Sequence, residues 1–342
     1  MSPPFRRLLA ATLVALVPLS LAACGSDGGA ATGKAAAADA PKPTAADLTG
    51  VTLRVGVQKD GIRAVLEKTG ALKDAPYKVE FSTFQFGPPL VEAAGADKID
   101  LAWVGSTPPI FGAAAKSDFK IIAAVKERDA KENSIIVPNG SDIHSIQDLK
   151  GKKIAVPKGS SAHGLLLNAL KRGGLSAGDV ETAFLPPADA VTAFKSGSVD
   201  ALTIWDPFAI QAIDDFGGRA IAGGEPDEAG VGFEIASSKA LDDPAKRAAI
   251  ADYVKRLNGA WQWAGENPDG WAEAWTKDSK LPLAITRKAA RAKASDVVPL
   301  DEKIIARQQA LADLLRDQKV LPGAVDFESI LDRSVVKLKP AN

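Results

Sequence analysis

Two hydroxyls and an imidazole stand together in the stretch AVPKGSSAHGLLLNAL, at Ser160, Ser161 and His163. Two kinds of chemistry could use them. A serine beside a histidine can act as nucleophile and base, but the pair needs a third group to orient the ring and donors for an oxyanion. The chain offers no convincing set of that kind, so His163 is read as structural and no catalytic residue is assigned. The other chemistry is anion binding. A short apolar strand ends at Val156 and a leucine-rich helix follows. Hydroxyls at a helix start accept from its unpaired N–H groups. The same end, with the N–H groups of Ala162 and His163 and a partial positive charge, can hold an anion. Ser160 and Ser161 fit both uses, and the two can coexist because several N–H groups are free at a helix start. A metal site is not expected from two histidines and one cysteine.

The elements that must position these residues recur along the chain. Val51–Val57 alternates apolar and polar residues, ends in Gln58-Lys59-Asp60-Gly61, and gives way to a helical pattern over Ile62–Lys68. Ile99–Val104 runs into Gly105-Ser106-Thr107-Pro108-Pro109, Lys153–Val156 into the serine pair, and Val199–Trp205 into Asp206-Pro207-Phe208. Strands alternating with helices predict an α/β fold with mainly parallel sheets. In such sheets ligands bind beyond the carboxyl ends of the strands. The candidates there are Gln58, Lys59, Gly105, Ser106, Thr107, Ser160, Ser161, Ala162, His163, Trp205 and Asp206. The Gln58 amide can donate, and Lys59 either brings a charge or is solvated. The Trp205 indole can pack on an alkyl chain while its N–H donates. Asp206 either accepts from a ligand amine or caps the turn that begins at Pro207.

An internal echo points to two similar lobes. LVEAAGADKIDLAW (90–103) and AVTAFKSGSVDALTIW (190–205) match at Val91 and Val191, Ala93 and Ala193, Ile99 and Val199, Asp100 and Asp200. Toward the C-terminus, Ile250, Val254, Leu257 and Trp261 keep a helical stripe, and Trp271 and Trp275 share a helix face. Ile304, Leu311 and Leu315 continue the theme. These helices are expected on the first lobe, with Trp261, Trp263, Trp271 and Trp275 in its core.

The N-terminus reads as an export signal: Arg6 and Arg7, an apolar run over Leu8–Leu19 broken by Pro18, then Leu-Ala-Ala-Cys-Gly. The run is short for a membrane span. Its end resembles the lipobox of bacterial lipoproteins, which implies a lipid on Cys24. That is the single cysteine, so no internal disulfide is possible. Residues 25–47, rich in Gly, Ala, Asp, Pro and Lys, read as a tether. The remaining body is long enough for two lobes. With 42 basic and 42 acidic residues the formal net charge is zero, and no nucleic-acid partner is expected.

The motifs VGSTPPIFGAAA, KGSSAHGLLLNAL and VDALTIWDPF, in that order, resemble the aliphatic-sulfonate-binding proteins of ABC importers, which group with taurine- and nitrate-binding proteins. The resemblance runs from about Leu53 to past Val320, and QKDG and LPPADAVTAFKSGSVDA fit it too. It implies a type II periplasmic-binding-protein fold: lobe 1 over 48–135 and 236–342, lobe 2 over 136–235, and the ligand cleft between them. The two crossings are expected near Asn133–Asn139 and Pro226–Ala236. Phe233, on the return crossing, would close the apolar side of the cleft. The implied function is that of a monomeric, lipid-anchored, extracytoplasmic receptor without a cofactor. It would capture alkanesulfonates or taurine for a permease and its ATPase, and do no chemistry. A sulfonate presents three acceptor oxygens and a permanent charge, so it needs donors and not a base. Many relatives carry an acidic residue where this chain has Ser106, and its loss eases anion binding. Nitrate, bicarbonate, other small anions and pyrimidines are alternative ligands within the family. Some proteins of this fold make the thiamine pyrimidine, a chemistry for which the cleft offers only His163.

Overall fold

Strand and helix segments alternate through most of the computed structural model, which describes residues 48–127, 133–223 and 230–337. The export signal, Cys24 and the tether lie outside the described residues. In the first half the order is β1 (Thr52–Val57), α1 (Ile62–Thr69), β2 (Lys78–Thr83), α2 (Gly87–Gly95), β3 (Leu101–Val104), α3 (Pro108–Ala114) and β4 (Phe119–Glu127). Then come β5 (Asn133–Pro138), β6 (Lys153–Val156), α4 (Ser161–Arg172), β7 (Glu181–Phe184), α5 (Pro187–Lys195), β8 (Ala201–Trp205), α6 (Phe208–Asp214) and β9 (Gly218–Gly223). The rest is β10 (Val231–Ser237), α7 (Ser238–Asp242), α8 (Pro244–Glu266), α9 (Pro268–Ser279), α10 (Leu283–Ala292), β11 (Ser295–Val298) and α11 (Glu302–Asp317).

The strands form two sheets, β11-β4-β10-β3-β1-β2 and β7-β6-β8-β5-β9. Both follow one plan. The first strand of each set pairs in parallel with the second and third. A strand arriving from the other sheet then inserts antiparallel: β10 between β3 and β4, and β5 between β8 and β9. The expectation of mainly parallel strands holds within each set and misses β11, which is antiparallel to β4, and these inserted strands. The inserted strands run the other way because they come from the opposite sheet. Asn133–Pro138, expected as a crossing, is strand β5 itself. The connection before it, and residues 224–229 of the second crossing, lie outside the described residues, and Val231–Ala236 is already in β10.

The sequence echo has a structural cause. Asp100 donates its N–H to Arg54 O at 2.7 Å and accepts the Arg54 N–H on Oδ2 at 2.7 Å. Asp200 does the same with Lys153, at 2.8 Å in each direction. Each aspartate clips the start of the third strand to the first and sets the register that brings their carboxyl ends level. Asp100 is fully buried. Burial opposes its ionisation, but the Arg54 and Lys246 contacts prevail and hold its carboxyl below the usual range.

Helices α8, α9 and α10 cover the first sheet. Tyr253, Leu257, Trp261, Trp271 and Trp275 are buried there, the last two with stacked rings 5.2 Å apart, and Trp263 is half-buried. The expectation that the tail packs on the first lobe alone is overturned by α10, whose Lys288 pairs with Asp214 of α6, and further by α11. Its Leu311, Leu314 and Leu315 share one core with Leu166 and Leu170 of α4 as well as with Ile121 and Phe233 of the first sheet. Ala177 N–H also donates to Gln318 Oε1 at 2.8 Å. The buried positions of α11 include adjacent pairs such as Ile304 with Ile305 and Leu314 with Leu315. That arc is wide enough to serve two partners.

Candidate functional site

Strand ends from both sheets meet in a cleft with two compartments, which share Gln58 and Trp205. The smaller is the more polar of the two and has space of about 20 Å³, room for one water. Gln58, Trp103, Gly105, Asn133, Ser160 and Ser161 line it, with Gly87 and Pro108. The two serines part company here. Ser160 is the N-cap of α4: its Oγ accepts from His163 N–H at 3.3 Å and donates to Pro157 O at 2.7 Å. Its proton is committed. Ser161 Oγ accepts the Ser106 N–H at 3.1 Å, across from the other sheet, and keeps its proton for a further acceptor. Among the described residues, the Ser161 and Ala162 N–H groups have no backbone acceptor.

Asn133 and Trp103, which the sequence reading did not single out, add to this end. Asn133 is buried with Oδ1 unpartnered, and the buried Trp103 Nε1 likewise has no partner. The signal for Asn133 was an amide opening a strand with the apolar run Ile135–Val137, where a buried polar group needs a reason. No Lys, Arg or His lines this compartment among the described residues. Neutral donors and the α4 dipole are what it offers an anion.

The larger compartment, of about 370 Å³, is mostly apolar. Phe84, Pro186, Pro187, Trp205, Pro207, Phe208 and Leu281 supply its walls, and Lys59, Gln85 and Asp189 are among its polar members. Phe84 is placed by its N–H, which donates to Val57 O at 2.8 Å and carries the β1–β2 ladder one residue on. Pro187 opens α5 as its first residue, where a missing N–H costs nothing. Trp205 meets Phe208 edge-on at 6.1 Å.

The turn carrying Gln58 and Lys59 is braced from behind. Trp275 Nε1 donates to Lys59 O and Trp271 Nε1 to Gly61 O, both at 3.0 Å. Gly61 has φ +88°, and a Cβ there would lie 2.8 Å from the Trp275 ring, so only glycine suits the position. Asp60 is buried in this turn and accepts the Ile62 N–H on Oδ1. Glu234, buried on β10, has Oε1 unpartnered. Burial, and then the charge of Asp60, push its carboxyl up to about 8.

The remaining candidates lie off the cleft lining. Thr107 is fully buried, and a Cβ on Gly164 would come within 2.4 Å of its Oγ1, so it packs the α3 start against α4. The Ala162 side chain is buried too, leaving only its N–H to contribute. His163 is buried between Phe111 and Phe184, and its Nδ1 accepts the Gly159 N–H at 3.2 Å. Burial, helped by Lys158, lowers its pKa to about 4, so the ring is neutral at pH 7. Asp206 is buried, and its peptide bond to Pro207 is cis. The cap reading of Asp206 is corrected, since Pro207 holds the N-cap position of α6, which has no side-chain cap. Phe233 is fully buried against Phe327, with centroids 5.7 Å apart. It faces the α11 side of the first sheet and does not close the cleft. Among the described residues no cluster of His, Cys, Asp or Glu could hold a metal ion, and no helix is long and apolar enough to cross a membrane.

A family profile described as "ABC transporter, phosphonate, periplasmic substrate-binding protein" matches residues 72–215. The alkanesulfonate-binding protein SsuA of Xanthomonas axonopodis pv. citri, solved bound to MOPS, is 33% identical in sequence. Its TM-score is 0.78, over 86% of this chain and 100% of that one. The periplasmic aliphatic sulphonate binding protein SsuA of Escherichia coli is 30% identical, with a TM-score of 0.74 over 85% and 95%.

Proposed function

The chain belongs to the aliphatic-sulfonate-binding proteins of ABC importers, and from that premise we propose that it captures organosulfonates with an extended apolar tail for delivery to a membrane permease. The observation that carries this reading is one cleft with a small, more polar end and a large apolar end, joined at Gln58 and Trp205. A sulfonate has three acceptor oxygens and one charge. It suits a compartment of neutral donors at a helix N-terminus better than a dianion does, because no side-chain cation is there to balance a second charge. In this reading Gln58, Trp103, Asn133, Ser161 and the Ala162 N–H hold the head. Trp205, Phe84 and Phe208 cover the tail, and Lys59 stands at the rim.

The polar end has room for one water. The head therefore enters when the two sheets part and the Ser106–Ser161 bond gives way. The sheets with their helices act as the two lobes, and α11 contacts both. Tail burial favours longer chains by about 0.8 kcal/mol per CH₂. Nitrate or sulfate leaves the apolar compartment unused. His163, neutral and off the cleft lining, takes no part in catalysis. Cys24 carries the lipid anchor outside the cytoplasm, and the loaded monomer hands its ligand to the permease and its ATPase.

Calorimetric titration of the chain lacking residues 1–47 tests the reading. The panel is methane-, butane-, hexane- and benzenesulfonate, taurine, sulfate, nitrate and methylphosphonate. Affinity is expected to climb from methane- to hexanesulfonate, with sulfate, nitrate and methylphosphonate weakest. Equal affinity across tail lengths, or nitrate or methylphosphonate tightest, overturns it.

A further inference from the structure

His163 lines neither compartment of the cleft, yet it is only 2% exposed. Its cover comes from both halves of the molecule. Phe184, at the end of β7 in the second sheet, meets the ring edge-on at 5.2 Å and is itself exposed. Phe111 of α3, a helix of the first sheet, meets it tilted at 5.9 Å. The approach is as close at Gly159, in the loop that enters α4. A Cβ there would lie 3.3 Å from Phe111 and 3.3 Å from Pro88 of α2. Gly159 also has φ +73°, so the loop presents bare backbone to these two helices. His163 Nδ1 holds that backbone by accepting the Gly159 N–H at 3.2 Å.

Helices α2 and α3 belong to the first sheet and the entry of α4 to the second. Parting the sheets therefore separates Phe111 from Gly159 and His163. A contact made in one arrangement alone shifts the equilibrium toward that arrangement. Phe111 and Pro88 line neither compartment, so what they contribute does not depend on the ligand's tail. The ring reports its own cover. Burial, helped by Lys158, lowers its pKa from 6.5 to about 4, and water reaching the ring returns it toward the ordinary value. Among the neighbouring elements α3 has no ionisable residue, Glu92 of α2 is exposed, and Glu181 of β7 pairs with Lys153 at 3.3 Å.

We propose that Phe111 is a positioning residue for ligand capture: packed on Gly159 and His163, it latches the helices of the first sheet to the entry of α4 and sets how long the closed cleft keeps its ligand. The choice of ligand and the parting of the sheets rest on the function proposed above; the packing does not.

The test follows tryptophan fluorescence by stopped flow in the chain lacking residues 1–47. Phe111→Ala should speed dissociation of butanesulfonate and hexanesulfonate alike, by about tenfold, equivalent to about 1.4 kcal/mol. Association rates should change by less than about threefold, because a latch acts after encounter. Phe111→Leu keeps an apolar body over Gly159 and should restore most of the residence time; thermal unfolding shows that both variants fold. With hexanesulfonate saturating, NMR of the His163 ring should give a midpoint near 4 in the parent and one closer to 6.5 in Phe111→Ala. Unchanged dissociation rates, a loss confined to hexanesulfonate, or a midpoint that stays near 4 in Phe111→Ala would each overturn the latch. If no sulfonate binds the parent, the sulfonate reading fails separately. The ring midpoints of the ligand-free parent and Phe111→Ala then decide the latch, and equal midpoints overturn it.

Discussion

Glu234→Gln isolates the consequence of a carboxyl buried behind the ligand-facing turn. Glu234 is 1% exposed, has Oε1 unpartnered and lies near the charge of Asp60, and its pKa is raised to about 8 from an ordinary 4.5. The unfolded chain gives up this proton near pH 4.5, while the folded chain keeps it until about pH 8. Between those values the folded state binds more protons, so stability falls as pH rises. At about 1.36 kcal/mol per unit the loss is about 1 kcal/mol at pH 5, about 3 at pH 7, and approaches about 5 above pH 9. Glutamine keeps the shape and cannot ionise. Urea unfolding of parent and variant at pH 5, 7 and 9 should therefore show a widening gap in favour of the variant, about 4 kcal/mol larger at pH 9 than at pH 5. Groups remote from Glu234, His163 among them, cancel between the two proteins. A gap that does not change with pH would refute the reasoning, because Glu234 would then ionise alike in both states.

Three further outcomes are expected. Phe208→Ala should weaken hexanesulfonate binding by about 1.5–3 kcal/mol and leave methanesulfonate nearly unchanged by calorimetry; equal losses would remove Phe208 from the tail wall. Gly105→Ala places a Cβ 1.9 Å from the present position of Ser161 Oγ, so that hydroxyl must swing away. Every sulfonate should then bind at least about tenfold more weakly, while thermal stability changes little; undiminished affinity would show that Ser161 does not hold the head. His163 ring protons followed by NMR should titrate near pH 4. Its pKa is lowered from 6.5, so its contribution to stability is present above that value and is lost as pH falls through 4. An ordinary midpoint near 6.5 would mean that the ring is hydrated.

The amino-acid sequence by itself determined four of the strands, where they stop, and the main helical stripes. Strand alternation, helical stripes and the turns after Val57, Val104, Val156 and Trp205 are local patterns, set by backbone periods of two and 3.6 residues. They sufficed for the α/β class, the four strand ends and the repeated plan, including the match of Asp100 with Asp200. The tryptophan stripe was legible on the same ground. Tertiary structure decided which of those residues share a space. Ser160 and Ser161 are neighbours in the chain, yet a backbone N–H 55 residues away distinguishes them, by engaging Ser161 across the cleft while Ser160 turns back to cap its own helix. Phe84, Pro186 and Leu281 come from separate segments with no common motif, and they form one wall only because the sheets bring them together. Phe233 went the other way. Its position after a crossing suggested the cleft, but strand pairing turned it toward α11. Periodicity fixes which face of an element a residue occupies, whereas the partner of that face is set by contacts between distant segments.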